Sequence, residues 1–407
     1  MPRSKKKFYE AVAKEGASTP SGAVAMLGIA GNKTSKSKTE RRIQDSPDPP
    51  KETFRYDTKP LRSHRTGVAP IQSNIVQADP KNPEPAVKQN LENAIKLIEG
   101  TMLWPPGKKD LLALTEFFLH GYYDDFIGPR GWTRKDFLKV ARSIPGEETD
   151  RLGEKAKQYG IYISGDVHAK DPEWPKHYFH TNFLIGPNGK VIHTHWKAHL
   201  SISAVEWGTT THDVLDEFVK RNGWDAVWPV AVTDIGNIAT MTCAEGFIPE
   251  TWRAFAFRGA EIYDWMMATN WISDWLRSMM QAMCAVNACY GMLTQPAKIF
   301  NSVYNESSLH NASLIVDPEG RILRARYDAG QGSLFESLPI EDLRRSYRTG
   351  WRDPILAFRS SMYRDIYTNP KYEKIPPNSF SEYLPKDHLD AERYGRKKAR
   401  WSGWESG

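Results

Sequence analysis

Three residues of the 407-residue chain combine a reactive side chain with a position where a strand should end: Glu116, Lys197 and Cys243. Cys243 closes a short apolar run over 237–242. Gly246 follows, and after Pro249 the pattern turns helical, with Trp252, Phe255 and Ala256 on one face. This reads as strand, tight turn, helix. A cysteine in such a turn sits at a sheet edge near a helix N-terminus, whose partial positive charge favours the nucleophilic thiolate. The other reading of Cys243 is a small buried hydrophobe, the usual state of a free cysteine. Glu116 ends the apolar run 110–115. A carboxylate there is costly unless paired or used, so it is a candidate base; an exposed loop glutamate is the alternative. Lys197 leaves a hairpin predicted from the apolar runs 179–185 and 191–195, joined through Asn188-Gly189. It either points its ammonium into a site or lies solvated on the surface. His193 and His195 share one strand face, with His199 close behind, and with further ligands they would hold a metal ion. No further ligand spacing is recognisable, and ordinary hydrogen bonding is their simpler use.

The elements that must position these residues alternate between strand and helix. A strand is predicted over 67–75 and a helix over 82–99, with Ala86, Leu91, Ala94, Ile95 and Ile98 at helical spacing. A helix over 148–159, stopped by Gly160, precedes a strand over 161–166. Beyond the hairpin come a helix over 212–221 and strands over 226–232, 237–242 and 259–267. A methionine-rich helix over 274–288 follows, then strands over 312–316 and 322–327 joined by the turn DPEG. One more strand over 332–336 and a short helix over 340–347 complete the pattern. Residues 1–66 lack periodicity, and from 351 onward the sequence is irregular and rich in Pro, Tyr and charge. The expected organisation is a basic polar extension over 1–66, one catalytic domain over 67–350 and a C-terminal arm over 351–407.

The net charge of +6 belongs to the extension, which holds 15 Lys and Arg against 7 Asp and Glu and leaves the rest of the chain slightly acidic. Its basic residues are not interleaved with aromatics in a recognisable module, so a solvated tail or a segment packed on a neighbouring subunit is expected rather than nucleic-acid binding. The run 22–31, GAVAMLGIAG, faintly resembles a signal peptide, but Glu10 and Glu15 precede it and export is not expected. No stretch approaches the length of a membrane span. The 3 cysteines, Cys243, Cys284 and Cys289, have no framework spacing, which predicts free thiols in a reducing, cytoplasmic setting.

Taken in order, the motifs TEFFLHGY around Glu116, GPNGKVIHTHWKAHL around Lys197, Glu206-Trp207-Gly208, and CAEGFIPETWRAFAFRGAEI from Cys243 resemble the nitrilase, or carbon–nitrogen hydrolase, superfamily, in its aliphatic amidase and formamidase branch. The later NASLIVDPEGRILRARYDAGQGSLFESLPIEDLRR is similar to that family's final strands. The resemblance implies a four-layer α-β-β-α sandwich of the α/β class, here with N- and C-terminal extensions. It also implies a Cys-Glu-Lys amide hydrolase without cofactor or metal, acting on a small-molecule amide as a homo-oligomer. Glu116 would be base and acid, Cys243 the nucleophile that forms a thioester, and Lys197 with the N–H of Ala244 the oxyanion donors. Glu206 would hold the substrate amide.

Departures from the family pattern bear on the substrate. Thr115 stands where a proline usually precedes the base, Trp196 where a basic residue often precedes the lysine, and Ala244 where a polar or aromatic residue follows the nucleophile. Residues 263–271 are bulky. Trp265 and Trp271 would close the pocket around a very small amide or wall a larger one, with simple core packing as the alternative. A nitrile or carbamoyl substrate suits the same triad, and a non-catalytic oligomeric scaffold is the reading from a different class.

Overall fold

The computed structural model describes residues 56–104, 107–123, 131–199, 208–268, 273–302, 313–328, 330–347, 354–373 and 375–398. Two sheets face each other. The first carries, in chain order, β1 (Thr66–Gln72), β2 (Leu111–Ala113), β3 (Tyr162–Lys170), β4 (Phe179–Ile185) and β5 (Val191–Trp196), side by side in that order. β1, β2 and β3 are parallel, with Val68 opposite Leu111 and Leu111 opposite Tyr162; β4 and β5 extend the sheet antiparallel. The second sheet orders β6 (Ala231–Thr233), β7 (Gly236–Thr242), β8 (Ile262–Met266), β9 (Tyr290–Thr294), β10 (Ser313–Val316) and β11 (Ile322–Arg326). Its parallel centre is β7, β8 and β9, with Thr242 opposite Met266.

Both faces of each sheet are covered, which is why the parallel strands are continuous apolar runs. Between the sheets lie Val68, Leu111, Ala113, Ile238, Ile262, Met292 and Ile315, all buried. Outside the first sheet pack α1 (Glu84–Leu103) and α2 (Glu147–Tyr159), through Leu91, Ile95, Ile98 and Leu152. α2 ends as its sequence predicts, because Gly160 adopts the left-handed φ of 65° that a side chain would resist. Outside the second sheet pack α3 (Pro249–Phe257) and α4 (Ser273–Asn287), through Trp252, Phe255, Leu276 and Met280. The architecture is therefore the four-layer α-β-β-α sandwich.

Most predicted elements are present with shifted ends, and three expectations need correction. Residues 226–232 form no long strand: 224–226 is a helical turn and only Ala231–Thr233 pairs. Tyr290–Thr294, a central parallel strand, went unpredicted because it follows α4 with no Gly or Pro between them; Ala288, at φ 51°, makes the break. The segment after 351 contains short helices and the 11-residue helix His388–Lys398. It folds back on the body, where the Arg134 side chain donates to the Pro385 carbonyl and Phe358 meets Phe257. Among the described residues, no helix is long and apolar enough to cross a membrane.

Candidate active site

The parallel strands of both sheets and β5 all point their C-terminal ends to one end of the sandwich, and the chemistry gathers there. Glu116 follows β2, Lys197 follows β5, and Cys243 follows β7. Glu116 and Lys197 are both buried, with Glu116 Oε1 3.7 Å from Lys197 Nζ. The second carboxylate oxygen, Oε2, accepts the backbone N–H of Ala268, just past the end of β8. A carboxylate and an ammonium taken out of water this completely cost several kcal/mol each before their attraction is counted, so the pair is weak evidence for stability and stronger evidence for use.

Cys243 sits in a strained turn. Thr242 is extended, whereas Cys243 has φ 50°, a left-handed value rare for a residue with a Cβ. A single 3₁₀ stretch, Cys243–Phe247, follows, and α3 begins at Pro249, where the sequence places it, so the cysteine lies one short turn ahead of the helix. Two indoles hold the turn from below. Trp265 Nε1 donates to the Cys243 carbonyl and Trp252 Nε1 to the Gly246 carbonyl, each at 3.0 Å. Gly246 is required here: a Cβ on it would stand 2.2 Å from the Trp265 ring. Trp265 is fully buried behind the turn, so the packing reading fits it and the substrate-wall reading does not. Ala244 and Cys243 are both half-buried in the turn. Glu206 and Trp271 lie outside the described residues.

Two buried carboxylates absent from the sequence reading tie these pieces together. Asp166, on β3, receives His180 Nε2 at 2.7 Å and the Phe117 N–H at 3.3 Å on Oδ1, and Asn182 Nδ2 at 2.6 Å and the Thr242 hydroxyl at 3.2 Å on Oδ2. It thus joins the residue after Glu116 to the residue before Cys243. His180 in turn faces Lys197, whose Nζ lies 3.0 Å from Nδ1. Glu245, two residues past the cysteine, accepts the Thr242 N–H at 3.1 Å, the Ala198 N–H at 2.7 Å and His195 Nε2 at 3.0 Å. Burial pushes its carboxyl up, but His195, the Ala198 N–H and the Lys197 ammonium outweigh burial and hold it below the usual carboxylate range. For Asp166 and its partners the signal was available in the sequence as polar side chains at period two inside otherwise apolar strands: Asp166 and His168 on β3, His180 and Asn182 on β4.

The histidine pair proposed as a metal site is otherwise engaged. His195 binds Glu245, and His193, pushed down to about 3 by burial, lies 3.4 Å from the Thr240 hydroxyl. Among the described residues, no three His, Cys, Asp or Glu side chains are grouped to hold a metal ion.

Residues 68–352 match the sequence profile of the carbon–nitrogen hydrolase family. The omega-amidase NIT3 of Saccharomyces cerevisiae is 26% identical over 267 residues, 64% of this chain and 84% of that protein. A formamidase of Bacillus thuringiensis is 25% identical over 186 residues, 43% of this chain and 46% of its own length. In fold, the chain resembles a carbon–nitrogen hydrolase from Helicobacter pylori G27, with a TM-score of 0.57 at 16% identity, covering 75% of this chain and 99% of that one.

Proposed function

The chain belongs to the carbon–nitrogen hydrolase family and is an amidase-type enzyme of it, and we propose that it converts a primary amide to a carboxylic acid and ammonia through a thioester on Cys243. The observation that carries the proposal is the buried Glu116–Lys197 pair, 3.7 Å apart, linked through Asp166 to the strand end that bears Cys243.

Each step then has a group to perform it. Glu116 takes the thiol proton, and the sulfur attacks the amide carbonyl carbon. The negative charge that develops on the carbonyl oxygen is met by the Lys197 ammonium and the Ala244 N–H, donors whose individual loss costs on the order of 3–4 kcal/mol in the barrier. Glu116 returns its proton to the departing nitrogen, the C–N bond breaks, and ammonia leaves. A water, deprotonated by Glu116, attacks the thioester, and the acid departs as the thiol re-forms. The Ala268 N–H on Oε2 keeps Oε1 turned toward Lys197 throughout. Glu206 retains the role of orienting the substrate amide, and Trp271 that of a pocket wall. The free thiols Cys243, Cys284 and Cys289 suit a reducing compartment such as the cytoplasm, and a homo-oligomer is the assembly we propose.

The test is ammonia release from a panel of primary amides, ureas and nitriles by the wild type and by Cys243→Ala, with and without chelator. Release from the amides, abolished by Cys243→Ala and indifferent to chelator, is the expected result. Release that survives Cys243→Ala and disappears with chelator would overturn the proposal, and preference for nitriles or ureas would replace the substrate class while keeping the thiol.

A further inference from the structure

Lysine ammonium groups only donate hydrogen bonds. With Lys197 Nζ 3.0 Å from His180 Nδ1, that ring nitrogen must present its lone pair, so the imidazole is neutral and carries its proton on Nε2. Nε2 is the atom that lies 2.7 Å from Asp166 Oδ1 and 3.5 Å from Glu116 Oε1. Asp166 therefore fixes the tautomer, and the tautomer fixes the acceptor that Lys197 meets. A protonated His180 would set two donors against each other at the same 3.0 Å.

The ring itself cannot drift. It stacks on Phe117 with centroids 4.3 Å apart and planes at 25°, meets the edge of His168 at 5.9 Å, and its backbone carbonyl accepts the Lys197 N–H at 2.8 Å. Asp166 is held in turn by Phe117 N, Asn182 and Thr242. His180 and Asp166 are both buried, so water does not compete for these contacts.

Resting on the amidase reading above, we propose that Asp166 and His180 are positioning residues that aim the Lys197 ammonium at the substrate's developing oxyanion. Their contribution is realised in the transition state through Lys197 and leaves ground-state binding largely alone, so it falls on kcat with little change in KM. Misplacing a catalytic group by about 1 Å costs on the order of 100-fold in rate.

The experiment compares His180→Leu, which fills similar space with no polar atom, with His180→Gln, whose amide can both accept from Lys197 and donate to Asp166. Each is made in the wild type and in Lys197→Ala, and kcat and KM are measured on the panel amide that releases ammonia fastest, with thermal midpoints alongside. The expected result is a fall of about 100-fold in kcat for His180→Leu, recovery of most of it by His180→Gln, and almost no further loss from His180→Leu in the Lys197→Ala background. A His180→Gln variant no better than His180→Leu would overturn the assignment. So would a full additional loss in the Lys197→Ala background, because His180 would then act independently of the lysine. Turnover that survives Cys243→Ala would instead sink the amidase mechanism on which the assignment rests, and that outcome is distinct from either result at His180.

Discussion

The two sheets meet in very different ways at their two ends. Where the parallel strands begin, Val68, Leu111, Ile238 and Ile262 fill the space between them with hydrocarbon. Where the strands end, the same two sheets enclose Glu116, Asp166, His180, Lys197 and Glu245, all buried, with Glu116, Asp166 and Glu245 hydrogen-bonded across them to Ala268, Thr242 and Ala198. Between the two lie polar bridges from the Ser164 hydroxyl on β3 to Asp264 on β8 and between His193 on β5 and the Thr240 hydroxyl on β7. The apolar end supplies stability at about 25 cal/mol per Å² buried, whereas the polar end at best recovers its desolvation cost. The sandwich therefore stores its stability at one end and gathers the groups of the proposed chemistry at the other, and substitutions should separate the two.

The largest effect belongs to the polar end. Cys243→Ala should lower kcat by roughly 10⁴-fold or more with little change in thermal midpoint, read by ammonia release and calorimetry. Glu116→Gln keeps the shape and an acceptor for the Ala268 N–H but removes the proposed base. It should cost on the order of 10²–10⁴-fold in kcat, again at nearly unchanged stability. If either variant melted far below the wild type, the division of labour would be broken.

Ile262→Ala tests the opposite end. It should destabilise by about 2–5 kcal/mol in denaturant titration while the folded molecules turn over at the wild-type kcat. Asp264 sharpens the middle. Burial raises its carboxyl to about 7 against the opposing hydrogen bond from Ser164, and Oδ1 makes no hydrogen bond among the described residues. The folded chain thus holds a proton that the unfolded chain releases near 3.8, so this group's contribution to stability falls as pH rises from about 4 to about 7 and then levels. Asp264→Asn cannot ionise, and its stability relative to wild type should rise over that window by up to about 4 kcal/mol, measured by unfolding at a series of pH values. The smallest effect is at Trp265→Phe, which removes the donor to the Cys243 carbonyl and should cost about 1 kcal/mol in stability, with a several-fold fall in kcat as the turn loosens.

The same contrast explains what could be read in advance. The apolar end follows from periodicity: α2 with its glycine stop and the hairpin turned by Asn188-Gly189 reproduce the predicted pattern closely. Glu116, Lys197 and Cys243, the residues of the proposed triad, stand out in the sequence because each reactive side chain interrupts or ends an apolar run. Asp166, His180 and Glu245 were not singled out, since their meaning lies in partners far along the chain, such as Thr242, 76 residues beyond Asp166. Spacing carries no trace of such pairs; only the cost of burying a polar group in a core strand hints at them. His195 illustrates the same limit. Beside His193 it suggested a metal ligand, whereas its partner is Glu245, 50 residues away.

The proposed mechanism turns on one covalent bond, between Cys243 and the substrate's acyl group. Wild-type enzyme turning over its preferred amide is quenched in acid and its intact mass and peptide map are recorded, with Cys243→Ala as control. The expected result is a mass increase equal to the substrate's acyl group, carried by the peptide that contains Cys243 and absent from the variant. Steady ammonia release with no acyl adduct under any quench time, or an adduct on another residue, would contradict it.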